Sequence, residues 1–341
     1  MLIVNCEGTP YEIGFAHGTA AKSEIHRCIS FYTSLFLKNC KQTWPQVLEH
    51  AAIFEQNAQN SWPAYHEEMR GIADGAGVHL LDIVALNVRT EINFGLFSDG
   101  CTAVSWHTEE RAFLAQNWDW MKEQKENLII TTITQESKPK IHQVTEAGII
   151  GKIGFNSAGV GTLLNAIRVH GMDPTRMPVH FALRTALESN SAREAVDRLK
   201  NHGIASSGHI LIADAALAVG LEFTKSTFAE CIPDTRRRIV HANHLLLDHP
   251  DEVDTVWLKD SSVRVKTMTD NLQELPAEPS WEQISGLFED EKNFPTSICR
   301  EETPESGSGT LFNIVMDLKS RNAIVRLGKP TRADEMISLS L

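Results

Sequence analysis

Apolar residues recur at helical spacing through the first hundred positions and alternate with polar ones after that. A short apolar run, LIVNCEG, opens the chain as a strand. Thr9-Pro10 starts a helix, with Pro10 in its first turn, and the pattern continues from Glu12 to about Lys38 with Gly14 and Gly18 as soft spots. A second helix runs from Trp44 towards Asn60, and Trp62-Pro63 breaks it before a third that stops at the glycines of ADGAG. Leu81, Val84, Ala85, Val88 and Ile92 fall on one helical face of a fourth. From Cys101 the period drops to two: CTAVSW puts Cys101, Ala103 and Ser105 on one face and Thr102, Val104 and Trp106 on the other. With the turn HTEER and the run AFLAQNWDW it reads as a hairpin.

Four more strands are predicted in ENLIITTITQ, KIHQVTEAG, IIGKIGFNSAG and VGTLLNAI. A helix over Met177–Ser189 follows, then another in SAREAVDRLKNHG, capped by Ser191 and Glu194 and closed by Gly203. Strands return in GHILIADAALAVGLEF, STFAECI and RRIVHANHLLL; residues 251–271 read as a polar, partly helical insertion. Ser280 and Gln283 cap WEQISGLFED, and TLFNIVMDLKSRNAIVRLG ends the pattern as a hairpin turning at Ser320-Arg321-Asn322. Helices grouped between groups of strands imply an α+β protein, two sheets face to face with helices outside. A doubly wound fold would alternate strand and helix more strictly, and no GxGxxG or P-loop run supports a nucleotide site.

Composition narrows the partners. The 341 residues are 42% hydrophobic and 22% charged, as expected of a globular chain. A net charge of −12 argues against nucleic acid, because phosphate binding needs a basic face. The one basic run, Arg236-Arg237-Arg238, reads as a solvated edge or turn. No apolar run is long enough to cross a bilayer, and MLIVNCEGTP lacks the basic-then-apolar order of a secretory signal. Six cysteines without a framework fit a reducing compartment. The final Ser-Leu-Ser-Leu lacks the basic middle position of a peroxisomal address, so a cytoplasmic location is expected. His241 and His244 stand three apart in a predicted strand, on opposite faces; with no Cys or carboxylate at ligand spacing, no metal is expected.

The candidate chemistry lies at Gly100-Cys101. Asp99-Gly100 is by itself an ordinary turn pair, and cysteines are often buried as small apolar fillers. If the bond is cut, however, Cys101 carries a thiol and a free α-amine on one residue. An α-amine of pKa about 7.7–8.0 serves as a base near neutral pH, which is the N-terminal-nucleophile arrangement.

DGCT, AQNWDW, TEAGIIGKIGFNSAGV, VHANH, FPTSICR and TLFNI, in that order, resemble the fungal isopenicillin N acyltransferase family (acyl-CoA:6-aminopenicillanic acid acyltransferase) over nearly the whole chain. The resemblance implies a four-layer αββα sandwich of the N-terminal-nucleophile hydrolase superfamily, one structural domain made as an inactive precursor. Self-cleavage before Cys101 would give a small chain, 1–100, and a large chain, 101–341, that stay together as a heterodimer. It implies Cys101 as nucleophile, Asp119 and Asn243 as further catalytic residues, and Asp119 with Arg300 at the substrate. The Asn243 amide is the first oxyanion candidate and a backbone N–H around Asn156–Gly159 the second. Asp119, in a strand between two tryptophans, also has a plain structural reading, a bond to a backbone turn. Partners are then acyl-CoA and a small-molecule amine, with no cofactor. One departure stands out: the family carries an arginine just before TLFN, where this chain has Glu305-Ser306-Gly307-Ser308-Gly309. That removes a contact to an anionic substrate and leaves another amine or amino acid as an alternative acceptor. An amidohydrolase of the same fold, with water as acceptor, uses the same residues; a non-catalytic homologue would keep Gly100-Cys101 intact.

Overall fold

The computed structural model describes residues 1–93 and 100–341; Asp99, half of the expected Asp-Gly turn, lies outside the described residues. β1 (Leu2–Glu7) is followed by α1 (Pro10–Ala20), α2 (Lys22–Cys40), α3 (Trp44–Ser61), α4 (Pro63–Ala76), α5 (Leu80–Asn87) and the short α6 (Arg89–Ile92). Thr9 and Glu12 close a capping box on α1. The single long helix expected up to Lys38 is two helices parted at Ala21. The fourth apolar face is likewise broken, at Val88.

Gly14 and Gly18 are not soft spots. A Cβ on Gly14 would lie 1.9 Å from the Glu68 carbonyl oxygen, and one on Gly18 would lie 2.2 Å from that of Ile72. Gly71 and Gly75 of α4 face α1 in the same way, 2.2 Å from Tyr11 O and 2.5 Å from Phe15 O. Four glycines thus let two helix backbones touch, and that contact outweighs their poor helix propensity.

The strands continue with β2 (Gly100–His107), β3 (Ala112–Trp120), β4 (Leu128–Thr134), β5 (Ile141–Glu146), β6 (Ile153–Asn156) and β7 (Gly161–Ala166). Then come α7 (Val179–Leu187), α8 (Ala192–His202), β8 (Gly208–Ala213), β9 (Ala218–Phe223), β10 (Phe228–Cys231) and β11 (Arg238–His241). α9 (Ser261–Gln273), α10 (Trp281–Leu287), β12 (Gly309–Asp317), β13 (Asn322–Leu327) and β14 (Glu335–Ser340) complete the chain. β14 was not expected. The large sheet runs β1-β4-β5-β6-β7-β8-β9-β10, and the small one runs β11-β2-β3-β12-β13-β14. β2 and β3 pack against β7, so the sheets lie face to face.

The alternation in CTAVSW is realised. Cys101 and Ala103 join the core between the sheets. Val104 and Trp106 turn outwards and bury against Met268 and Leu272 of α9 and Ile284 and Leu287 of α10. α7 and α8 cover the other face of the large sheet, which completes an αββα sandwich.

A buried polar network ties the N-terminal helices to the large sheet. Glu146 accepts from Tyr32 Oη at 2.5 Å, Gln124 Nε2 at 2.8 Å and Arg89 Nη2 at 2.7 Å, and also from Lys152 Nζ. Arg89 and Glu146 form a buried ion pair at 2.7 Å. Burial pushes the Glu146 carboxyl up, but Arg89 and Lys152 outweigh it and hold the group at about 2. In the unfolded chain the same carboxyl titrates near 4.5, so the unfolded state takes up its proton first as pH falls. This stabilisation is therefore present above about pH 4.5 and is lost towards pH 2. Glu146→Gln is expected to cost about 3–5 kcal/mol at neutral pH, because two cations lose their partner. It should also flatten the fall in stability between about pH 5 and 3, read from denaturant melts. An unchanged slope would place the acid sensitivity elsewhere.

Candidate active site

β2 and β3 are buried along their whole length, and their register sets Gly100 opposite Asp119 and Cys101 opposite Trp118. On the other side of β3, Thr310 of β12 also stands opposite Asp119. The β12 register shifts between Thr310 and Phe312, a bulge that re-aims the strand next to the site. Thr310 Oγ1 donates to Asp119 Oδ1 at 2.6 Å and accepts from the Arg300 backbone N–H at 3.0 Å.

The other Asp119 oxygen, Oδ2, is buried and makes no hydrogen bond. It points at Gly100: a Cβ there would come within 3.1 Å of it. Arg300 Nε lies 3.7 Å away, close enough for charge attraction, and is likewise buried without a hydrogen bond. Burial pushes the Asp119 carboxyl up; Arg300, Arg264 and the Thr310 bond pull it partly back.

Asn243 arrives from the loop after β11. Its Oδ1 accepts the backbone N–H of Cys101 at 2.9 Å and Arg264 Nη2 at 2.8 Å, and its Nδ2 donates to the Ala166 carbonyl at 2.9 Å. The amide thus meets Cys101 with its acceptor, whereas the sequence reading used its donor. Asn156 is a correction. Its Nδ2 donates to Leu187 O and Ser189 O, both at 2.8 Å, and its Oδ1 accepts from Ala158 N and Val160 N. The backbone N–H groups of 156, 157 and 159 go to Val160 O, Lys140 O and Asn156 O. The Asn156 amide and the backbone N–H groups from 156 to 159 are all committed to the fold, so they offer no donor to an oxyanion.

Arg264 and Asp260, absent from the sequence reading, are central. The expected insertion brings α9 onto the site. Arg264 Nη1 donates to the Cys101 carbonyl at 2.5 Å and to Thr102 Oγ1 at 3.0 Å, and Nε donates to Asp260 Oδ2 at 2.7 Å. Asp260 also takes Arg300 Nη2. Asp119, Arg300, Asp260 and Arg264, of which only Asp260 is partly exposed, therefore form a series of alternating charge that ends on the Cys101 peptide. The signal in the sequence was Asp260 and Arg264 at i, i+4 in a helical stretch, but that pairing is also the commonest surface one. Leu258, just ahead, packs at Gly100.

A cleft of about 300 Å³ opens beside Ala166, the partner of Asn243. Trp120, Leu164, Val169 and Met172 give it apolar walls. Glu91, with a buried Oε2 that makes no hydrogen bond, and Arg168 supply charge of both signs.

The family described as acyl-coenzyme A:6-aminopenicillanic acid acyl-transferase matches residues 106–332. The Emericella nidulans protein named acyl-coenzyme A:6-aminopenicillanic-acid-acyltransferase 40 kDa form is 45% identical over 340 residues, covering 98% of this chain and 95% of that one. Among solved structures, penicillin V acylase from Agrobacterium tumefaciens superposes with a TM-score of 0.51 at 11% identity, covering 71% of this chain and 86% of its own. A variant of conjugated bile acid hydrolase from Clostridium perfringens superposes at 0.50 and 12% identity, covering 70% and 92%. At such identities the two structures bear on the fold alone, which is the sandwich described above.

Proposed function

Because this chain belongs to the acyl-coenzyme A:6-aminopenicillanic acid acyl-transferase family, we propose that it moves an acyl group from an acyl-CoA thioester, through Cys101, to the amine of a small molecule such as 6-aminopenicillanic acid. The observation that carries this reading is the pair of partners set around the Gly100-Cys101 peptide. Asn243 holds its nitrogen, and an unbonded Asp119 oxygen stands beside Gly100.

The steps follow from those positions. In maturation, Cys101 Sγ attacks the Gly100 carbonyl carbon and the sulfur's proton is taken up as the C–N bond breaks. The nitrogen leaves as the Cys101 amine and a thioester joins Gly100 to Cys101. Water opens the thioester and returns the thiol. Cleavage places an ammonium where Asp119 Oδ2 lacks a partner and Asn243 Oδ1 already accepts. Protonated, that nitrogen satisfies both; neutral, it takes the thiol's proton in turnover. Acyl transfer repeats the same exchange: the thiolate displaces CoA thiolate from the acyl carbon, and the acceptor amine displaces the enzyme's sulfur. Arg264, fixed on the Cys101 carbonyl, holds the residue's backbone still while its side chain changes partner. The neighbouring cleft, largely apolar with Glu91 and Arg168 in its lining, suits an acyl chain or a zwitterionic amine.

Water in place of the amine makes the same site an amidohydrolase. What favours keeping that reading is the stretch before β12: residues 305–309 carry no cation, so they offer an anionic acceptor no fixed positive charge. A labelled acyl-CoA incubated with and without 6-aminopenicillanic acid and other amines separates the two. Labelled amide is expected with at least one amine; free acid alone, whatever amine is present, would sink the transferase reading.

A further inference from the structure

The cleft beside the active site is built from chain on both sides of Gly100. Glu91 and its neighbours in α6 come from before that point, whereas Trp120, Leu164, Val169 and Met172 come from after it. Glu91 is 1% exposed, and the fold accounts for one of its two carboxylate oxygens. Oε1 accepts the backbone N–H of Val179, the first residue of α7, at 2.9 Å and the Ser206 hydroxyl at 2.9 Å. Val179 and Ser206 line the cleft as well, so the carboxylate is set into its wall.

The other oxygen, Oε2, is buried and makes no hydrogen bond. Capping α7 needs only one oxygen, and an unpaired carboxylate oxygen in a low-dielectric wall is unfavourable. Burial pushes the Glu91 carboxyl up, and the Val179 N–H, the Ser206 hydroxyl and Arg89 pull it partly back. Arg89 itself is turned to Tyr32 and Glu146. The partner that suits Oε2 best is a cationic N–H, because a charge-assisted hydrogen bond is about twice as strong as a neutral one. That nitrogen is not the one that attacks the acyl group. A carboxylate holds an amine in its protonated form, and the attacking amine has to be neutral.

The rest of the lining places the nitrogen. Ala166, whose carbonyl takes Asn243 Nδ2 at 2.9 Å, marks the catalytic side of the cleft. The walls of Trp120, Leu164, Val169 and Met172 suit methylenes. Arg168 stands on the solvent side, half-buried, with its guanidinium 4.6 Å over the ring of the exposed Trp257. Resting on the acyl-transfer reading above, we propose that Glu91 is a specificity-determining residue that binds a non-reacting ammonium at the end of an acyl chain carried into this cleft. The acyl carbon then sits at Cys101, the methylene stem lies along the apolar walls, and the charged end meets Oε2. A chain ending in a methyl group leaves that oxygen unpaired, and one ending in a carboxylate meets like charge. Glu91 belongs to residues 1–100, so the small chain of the processed protein supplies a ligand-binding group and not only a scaffold.

The test has a binding arm that needs no turnover and a kinetic arm that does. In the first, the native protein is titrated calorimetrically with n-pentylammonium and with its neutral isostere 1-pentanol. The ammonium is expected to bind about 10-fold tighter or more. Glu91→Gln keeps an oxygen for Val179 and Ser206 and should erase the difference, with circular dichroism checking the fold. In the second, 6-aminohexanoyl-CoA is compared with heptanoyl-CoA. The native enzyme should favour the first by about the same factor in kcat/KM, mostly through KM, and Glu91→Gln should reverse the order. Equal binding of the two probes to the native protein, or a preference that survives Glu91→Gln, would overturn the proposal; the native comparison decides even where the variant does not fold. Consumption of both thioesters without discrimination also overturns it and leaves acyl transfer standing. Consumption of neither, beside an ammonium preference that depends on Glu91, sinks acyl transfer and leaves the ammonium site.

Discussion

Cys101→Ala is expected to run as one uncut chain of 38.0 kDa and to show no acyl transfer at all. Both reactions use one sulfur atom, so one substitution abolishes both. The native protein, under the same denaturing mass measurement, should give two species matching residues 1–100 and 101–341. Cys101→Ser separates the steps further. A hydroxyl is the weaker nucleophile near neutral pH, so slow processing with little turnover is expected from it. The alanine side chain fills less of a site that is fully buried, so a melt of the variant checks that it folds. Two species from Cys101→Ala would refute the mechanism, because cleavage would then have another origin. A single species from the native chain would identify it as the uncut form, with no free α-amine and no basis for assuming activity.

The second large effect is at Asn243. Removing its side chain takes away the acceptor that fixes the Cys101 nitrogen and one of the groups that anchor Arg264. A positioned polar partner of this kind is worth about 10²–10³ in turnover, or roughly 2.7–4 kcal/mol. Asn243→Ala should lose that much in both processing and acyl transfer. Arg264 still keeps Asp260, Thr102 and the Cys101 carbonyl, so folding should survive. Asn243→Asp discriminates between roles: it keeps the oxygen that faces the Cys101 nitrogen and places a charge opposite Arg264. If the acceptor matters, Asp should retain far more turnover than Ala. If the two variants are equally poor, Asn243 works through its N–H groups as an oxyanion donor. Turnover within tenfold of native in Asn243→Ala would remove the residue from the machinery.

Much of this site was legible because it is local. Alternation in CTAVSW and AFLAQNWDW sets the face of Cys101, and a hairpin of that length brings Gly100 and Asp119 opposite each other. The resemblance carried Asn243 and Arg300 to their positions, which no spacing could have done across 142 residues from Cys101 to Asn243. What escaped depends on tertiary closure. Arg264 sits in a stretch whose composition is that of a solvated helix, and only the packing of α9 on β2 turns it inwards. Asn156 looked like a loop donor, whereas the turn consumes its whole amide. Gly14 and Gly18 read as helix weaknesses because a helix pattern says nothing of what lies 1.9 Å from an absent Cβ. His241 was set beside His244 by number, yet its neighbours in space are His209, Cys231 and Glu222 on three other strands. β14 lacks a buried face strong enough to announce itself, since most of it is exposed.

The first strand bears on how maturation is ordered. β1 lies parallel to β4 over six residues, from Leu2 on Ile129 to Glu7 on Thr134, so the large sheet is woven from chain on both sides of Gly100. Tyr32 and Arg89 on Glu146 add buried bonds across the same divide. Asp119, Asn243 and Arg264 converge on Cys101 only once both sheets exist, so the scission proposed above would come after folding. Under that proposal the peptide bond at Gly100 has a temporary task. It tethers the strand at high effective concentration while the sheet assembles, and once the strand is docked it is no longer needed for cohesion. A cut product would thereby certify that its own scaffold has been built, and release of the tether would act as an inspection step that a misassembled chain does not pass.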